Sequence, residues 1–236
     1  MVSKPSDREY ANHAAKRTPV CFCLDVSGSV SMSMGILNNH VASLYKTIAE
    51  NQNPFVVFDI ATVTFGGMAG SPVPGVQMKN FNELNVKDTP PRFDADEKSP
   101  LGKAVNDSLE LLEEYKYQIK NIRGMNYYQP ILIIISDGQV NDERDKVILE
   151  RVQTKIRRLA SEDKLIVIPI GIGRVNPNVM NKFSPNGKYF QSTKIDFSDI
   201  VKLLVSTAVS GAEELPGRNI RKVLETMHTT SKEDLK

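Results

Sequence analysis

Four stretches of the chain are apolar with little alternation: Pro19 to Val26, Phe55 to Phe65, Pro130 to Ile135 and Leu165 to Ile172. Runs of this kind, rich in β-branched residues, predict strands covered on both faces, as in the middle of a parallel sheet. Between them the apolar period lengthens to that of a helix. Met34, Leu37, Val41, Leu44, Tyr45 and Ile48 form one stripe, ended by Asn51 to Pro54. Leu101, Val105, Leu109 and Leu112 form a second after Ser99-Pro100, a hydroxyl N-cap followed by proline in the first turn. A third helix is predicted over Asn141 to Glu162, with Val147, Ile148, Val152, Ile156 and Leu159 turned inward. Alternating strands and helices predict an α/β fold with a doubly wound, mostly parallel sheet.

Shorter signals complete the outline. After Gly66-Gly67 and a Pro/Gly loop to Gly75, Val76 to Phe81 is predicted to return as an antiparallel edge strand. Asn82 to Lys98 is an irregular connection, longer than most in compact domains, in which Asp94, Asp96 and Glu97 read as a solvated loop. Tyr189 to Gln191 is a short last strand, and Asp196 opens a helix through Ile200, Leu203, Leu204 and Ala208. Beyond Gly211 to Gly217, the spacing of Ile220, Val223, Leu224 and Met227 predicts a short amphipathic helix, packed on its own domain or on a partner. The predicted organisation is a polar arm (1–17), one α/β domain (18–211) and a C-terminal tail (212–236).

Composition narrows the function classes. With 40% hydrophobic and 25% charged residues the chain is an ordinary globular protein. A net charge of +2, with no basic run interleaved with aromatics, argues against nucleic acid as the partner. Arg151, Lys155, Arg157 and Arg158 read as a wet helix face. Met1 to Arg17 has no apolar stretch of a secretory signal, and no window is long enough to span a bilayer, so the expectation is a cytoplasmic protein away from membranes. Cys21 and Cys23, two apart on a predicted strand, share one sheet face and read as buried reduced thiols. His13, His40 and His228 have no neighbours in sequence that suggest catalysis.

The chemistry gathers at strand ends. The first strand closes on Asp25-Val26-Ser27-Gly28-Ser29, and the strand ending at Ile135 closes on Ser136-Asp137-Gly138. In an open α/β sheet the carboxyl ends of adjacent parallel strands converge on one crevice, where ligands bind. Asp25, Ser27, Ser29 and Asp137 supply oxygen donors alone, which suits Mg²⁺, Mn²⁺ or Ca²⁺ and disfavours zinc. Each motif also has a plain reading: Ser27-Gly28-Ser29 as a strand-to-helix turn, Asp137-Gly138 as a turn, Ser99 as a helix cap.

Taken together, Asp25-x-Ser27-x-Ser29, a hydroxyl opening a later helix and Asp137-Gly138 resemble the metal-ion-dependent adhesion site of von Willebrand factor type A (VWA) domains. The resemblance covers about Pro19 to Ser210. Within the family, Ser99-Pro100-Leu101-Gly102 and Phe197 to Ser210 are similar to stand-alone bacterial A domains associated with tellurite resistance. The resemblance implies a three-layer, Rossmann-like fold. It further implies that Ser27 and Ser29 ligate Mg²⁺, with Asp25 and Asp137 bound directly or through one water. Ser99 takes the place usually held by threonine, keeping the hydroxyl but losing the methyl that restricts its rotamer. Asp96-Glu97-Lys98 stands where glycines commonly precede that residue.

The implied activity is recognition without turnover: a partner protein offers an Asp or Glu to a cation that keeps exchangeable positions. No feature fixes an oligomeric state, and the implied setting is a scaffold in bacterial stress or defence signalling. An enzyme reading stands beside it. An aspartate ending the first strand near Mg²⁺ also describes haloacid-dehalogenase-like phosphotransferases, with Asp25 as nucleophile. Those enzymes place a general acid two residues later, where this chain has Ser27, which exchanges no proton near neutral pH.

Overall fold

The computed structural model describes residues 16–50, 56–66, 77–83 and 100–192. Its strands are β1 (Lys16–Asp25), β2 (Val56–Phe65), β3 (Gln77–Glu83), β4 (Ile131–Ser136), β5 (Ile166–Gly171) and β6 (Phe190–Gln191). They form a six-stranded sheet in the order β3-β2-β1-β4-β5-β6. Five strands are mutually parallel, and β3 pairs antiparallel with β2. The helices are α1 (Met34–Ala49), α2 (Leu101–Tyr117), α3 (Glu143–Ser161) and a single turn, α4 (Pro177–Met180).

Strand alternation divides the core in two. Val20, Phe22 and Leu24 face the layer of α1 together with Ile131, Ile133 and Ile135. Cys21 and Cys23 face α2 and α3 with Leu132 and Ile134. Because both faces are covered, the central strands need no polar side, which is why they read as unbroken apolar runs. Both thiols are free and fully buried, and burial pushes the Cys21 thiol up to about 12 and the Cys23 thiol well up. The expectation of reduced structural cysteines fits this environment.

Several boundaries differ from expectation. β1 begins at Lys16, three residues before Pro19, because Arg17 is drawn inward to a buried, bidentate ion pair with Asp59 of β2. Val147 is 62% exposed, a correction to its inward assignment: the buried stripe of α3 runs through Leu149, Val152 and Ile156, and Val147 lies off it.

The second correction concerns the start of α2. The helix begins at Leu101 with Pro100 just outside it, and its first donors are taken from a distance. Gly102 N–H and Lys103 N–H donate to the Asp145 carboxylate of α3 at 2.7 and 2.8 Å. Gly102 permits this approach, since a Cβ there would lie 2.5 Å from the Asp145 carbonyl oxygen. Burial raises the Asp145 pKa, and the two backbone donors oppose it.

Among the described residues no helix is long and apolar enough to cross a membrane. The predicted loop acids Asp94, Asp96 and Glu97, the helix opened by Asp196 and the tail stripe from Ile220 lie outside the described residues, as do His13 and His228.

Candidate metal centre

Parallel pairing of β1 with β4, in the register Leu24 to Ile135, brings the two strand-end motifs side by side. Asp25 is fully buried at the end of β1. Its Oδ1 accepts from the Ser27 N–H at 3.0 Å and from Ser27 Oγ at 2.5 Å. Its Oδ2 accepts from Ser136 Oγ at 2.6 Å. Since the Ser27 hydroxyl proton points to Asp25, the 3.0 Å contact between Ser27 and Ser29 is donated by Ser29. The β4 loop is ordered in the same way: Gly138 N–H donates to Ser136 Oγ at 2.9 Å, and Gln139 N–H to Asp137 Oδ1 at 2.9 Å.

Thus Asp25, Ser27 and Ser29 form one hydrogen-bonded chain, and Ser136 ties it to the loop of Asp137. Ser136 was not singled out from sequence as a site residue. The signal for it was register, because a hydroxyl opposite the end of β1 is the natural donor to a carboxylate buried there. Ser99 lies outside the described residues, so this geometry does not include a third loop.

Gly66 fixes the loop from behind. Val26 N–H donates to the Phe65 carbonyl at 2.8 Å, which holds the end of β2 against the Asp25 loop. Gly66 has φ +105°, and a Cβ there would meet the Ser27 nitrogen at 2.4 Å. Only glycine fits both the backbone conformation and the space.

The electrostatics are unbalanced. Burial pushes the Asp25 carboxyl up to about 6, and neighbouring Asp137 adds to the rise against the lowering effect of the hydrogen bonds from Ser136 and Ser27. Asp137 is 1% exposed, and its Oδ2 has no hydrogen-bond partner. A buried carboxylate oxygen without a donor is costly unless a cation or water completes it. Among the described residues no three His, Cys, Asp or Glu converge, so two carboxylates and neighbouring hydroxyls make up the donor set. This all-oxygen set fits a hard divalent cation, and the orphaned Asp137 oxygen is where it would be needed most.

The sheet order and the two loops can be compared with known proteins. No protein-family model matches the sequence, and no curated protein matches it. Among solved structures, the open conformation of the pilus adhesin SpaC from Lactobacillus rhamnosus GG superposes with a TM-score of 0.54, at 10% identity over 83% of this chain and 30% of the adhesin. The fold is VWA-like. The manganese-loaded TRAP protein of Plasmodium vivax aligns at a TM-score of 0.48, with 15% identity over 80% of this chain and 72% of that one. Proximal thread matrix protein 1 of the mussel byssus aligns at 0.43, with 14% identity over 83% of this chain. The chain spans 46% of the mussel protein's length, and at 14% identity the likeness concerns architecture alone. In an open, mostly parallel sheet the crevice lies outside the carboxyl ends of the strands, and the oxygen cluster stands at those of β1 and β4.

Proposed function

We propose that this chain is a divalent-cation-dependent protein-recognition module. Asp25, Ser27, Ser29 and Asp137 would hold Mg²⁺, or Mn²⁺ or Ca²⁺ in its place, with the Ser99 hydroxyl contributing from a third loop. The observation that carries the reading is Asp137 Oδ2, buried and unpartnered beside a second buried carboxylate that has only hydroxyl and amide donors. When bound, the cation would supply residual positive charge and exchangeable positions, which the Asp or Glu of a partner protein can fill.

The chain's own residues set up that contact. Ser136 and Ser27 orient the two Asp25 oxygens, Ser29 presents an exposed hydroxyl at the rim, and Gly66 keeps the loop pressed against β2. We assign recognition and no turnover, since Ser27 occupies the position where a phosphotransferase would need a proton donor. Among the described residues His40 is the one histidine, and its ring contacts the Ser192 carbonyl at 3.1 Å. By its resemblance to bacterial tellurite-resistance A domains, the module would act as a cytoplasmic scaffold in stress or defence signalling.

Titrating the whole chain with Mn²⁺, followed by electron paramagnetic resonance, tests the site. Saturable binding by the wild type, lost in Asp25→Ala and Asp137→Ala variants of unchanged circular dichroism, is expected; equal binding by all three would reject it. Affinity capture with and without EDTA tests the recognition step. Hydrolysis of phosphomonoesters in Mg²⁺ that disappears on Asp25→Ala would establish the enzyme reading instead.

A further inference from the structure

The solvent side of α3 carries its charges sorted rather than mixed. At about 100° per residue, Arg144, Arg151, Lys155 and Arg158 fall within an arc of about 60°, whereas Glu143 and Glu150 lie about 100° to one side. The three arginines are exposed and Lys155 is half-buried. From Arg144 to Arg158 the row runs about 21 Å along the helix axis.

This row breaks a rule that the rest of the helical surface obeys. Elsewhere lysines stand three or four positions from an acid and pair with it: Lys46 with Glu50, Lys103 with Asp107, Lys116 with Glu113 and Lys146 with Glu143. Among the described residues, none of the four cations in the row has a carboxylate at ion-pair distance. Glu162, at the end of the helix, accepts from Lys164 at 2.7 Å, the main cause of its lowered pKa, with Arg158 a more distant contributor. Arg151 and Lys155 are four positions apart and Lys155 and Arg158 three, so like charges face one another at the spacing where they repel. Arg144 stands in the first turn, where the helix dipole disfavours a cation. Charges set against both local rules, with no neutralising pair inside the chain, point to an anion from outside.

The apolar neighbours say which kind. Val147, 62% exposed, borders the row between Arg144 and Arg151, and half-buried Ile148 lies on its other edge. A phosphate backbone has nothing to place on an exposed valine, whereas a protein segment can set carboxylates and an apolar side chain next to each other. Guanidinium groups match carboxylates in two-pronged geometry, and a net charge of +2 supplies no long-range field for nucleic acid. We propose that this row is a second docking surface, for an acidic protein segment whose carboxylates meet Arg144, Arg151 and Arg158 and whose apolar side chain covers Val147. It is separate from the metal centre and needs no divalent cation.

A random dodecapeptide display library, panned against the whole chain in EDTA to silence the metal centre, tests the surface. Selected peptides should be rich in Asp and Glu, with Leu, Ile, Val or Phe among them. Their binding should weaken about tenfold or more in Arg151→Glu/Arg158→Glu, fall as NaCl is raised, fall several-fold in Val147→Ser, and persist in Lys188→Glu, a cation outside the row. The double variant should unfold at an equal or higher urea concentration, because it breaks up a run of like charges. No enrichment of acids, equal binding by the double variant, or binding untouched by Val147→Ser overturns the proposal. A lower unfolding midpoint in the double variant would make the cations structural and overturn it too. Duplex DNA bound as tightly as the peptides, with the same sensitivity to charge reversal, would assign the row to nucleic acid instead.

Discussion

A carboxylate out of contact with water lies near each end of the β1 strand, Asp59 of the neighbouring β2 at its amino end and Asp25 at its carboxyl end, and the two are treated in opposite ways. At the amino end, Asp59 is 1% exposed and holds the Arg17 guanidinium through two contacts, Nε to Oδ2 at 2.7 Å and Nη2 to Oδ1. At the carboxyl end, Asp25 is equally buried but receives only hydroxyl and amide hydrogens. The first carboxylate has its cation covalently built into the chain. The second shares its crevice with Asp137, whose Oδ2 has no donor. A fold that neutralises one buried carboxylate with an arginine and gives another pair only hydroxyl and amide donors separates a structural end from the end where the proposed cation would bind. Asp145 is intermediate: buried, and met by the two backbone N–H groups at the start of α2.

The comparison is broken most severely by removing the built-in cation. Arg17→Ala should cost about 3–5 kcal/mol in denaturant unfolding, because it strands the Asp59 charge in the core. Arg17→Met combined with Asp59→Leu should restore most of that loss, which would show that the pair is replaceable by apolar packing. At the other end, Gly66→Ala should cost about 3 kcal/mol, through the positive φ and the collision with the Ser27 backbone, and should weaken Mn²⁺ binding in the same titration.

The pH dependence sharpens the contrast. A carboxyl raised from 3.8 to about 6 on folding favours the folded state below pH 4 and loses that contribution as pH rises through about 6. Metal-free protein should therefore lose about 2 kcal/mol from this group between pH 4 and pH 7, measured by urea unfolding in EDTA. Asp25→Asn should lack this slope, and Mg²⁺ should flatten it in the wild type by favouring the ionised form. The smallest effect belongs to Asp145→Ala, expected to cost about 1–2 kcal/mol by leaving the first N–H groups of α2 without their acceptor.

Much of this architecture was legible in the sequence for identifiable reasons. The central strands show themselves because burial on both faces leaves no polar alternation, and Asp25, Ser27, Ser29 and Asp137 show themselves because strand ends in such sheets converge. The residues that escaped notice act across long separations. Ser136 reaches Asp25 over 111 positions, Asp145 caps a helix that starts over 40 positions earlier, and Arg17 finds Asp59 across 42. Val147 was misplaced because helical spacing alone leaves the edge of an apolar stripe undefined; contact with α2 decides which side of α3 is covered.

The amino-acid order by itself determined the α/β alternation, the all-oxygen character of the strand-end loops and the pairing of thiols on one face, since each follows from local periodicity or residue chemistry. Tertiary structure alone decided which carboxylate gets an arginine and which meets only hydroxyl and amide donors, and that Gly66 must be glycine. These depend on strand register and on the distance between segments far apart in the chain, quantities that no local pattern contains.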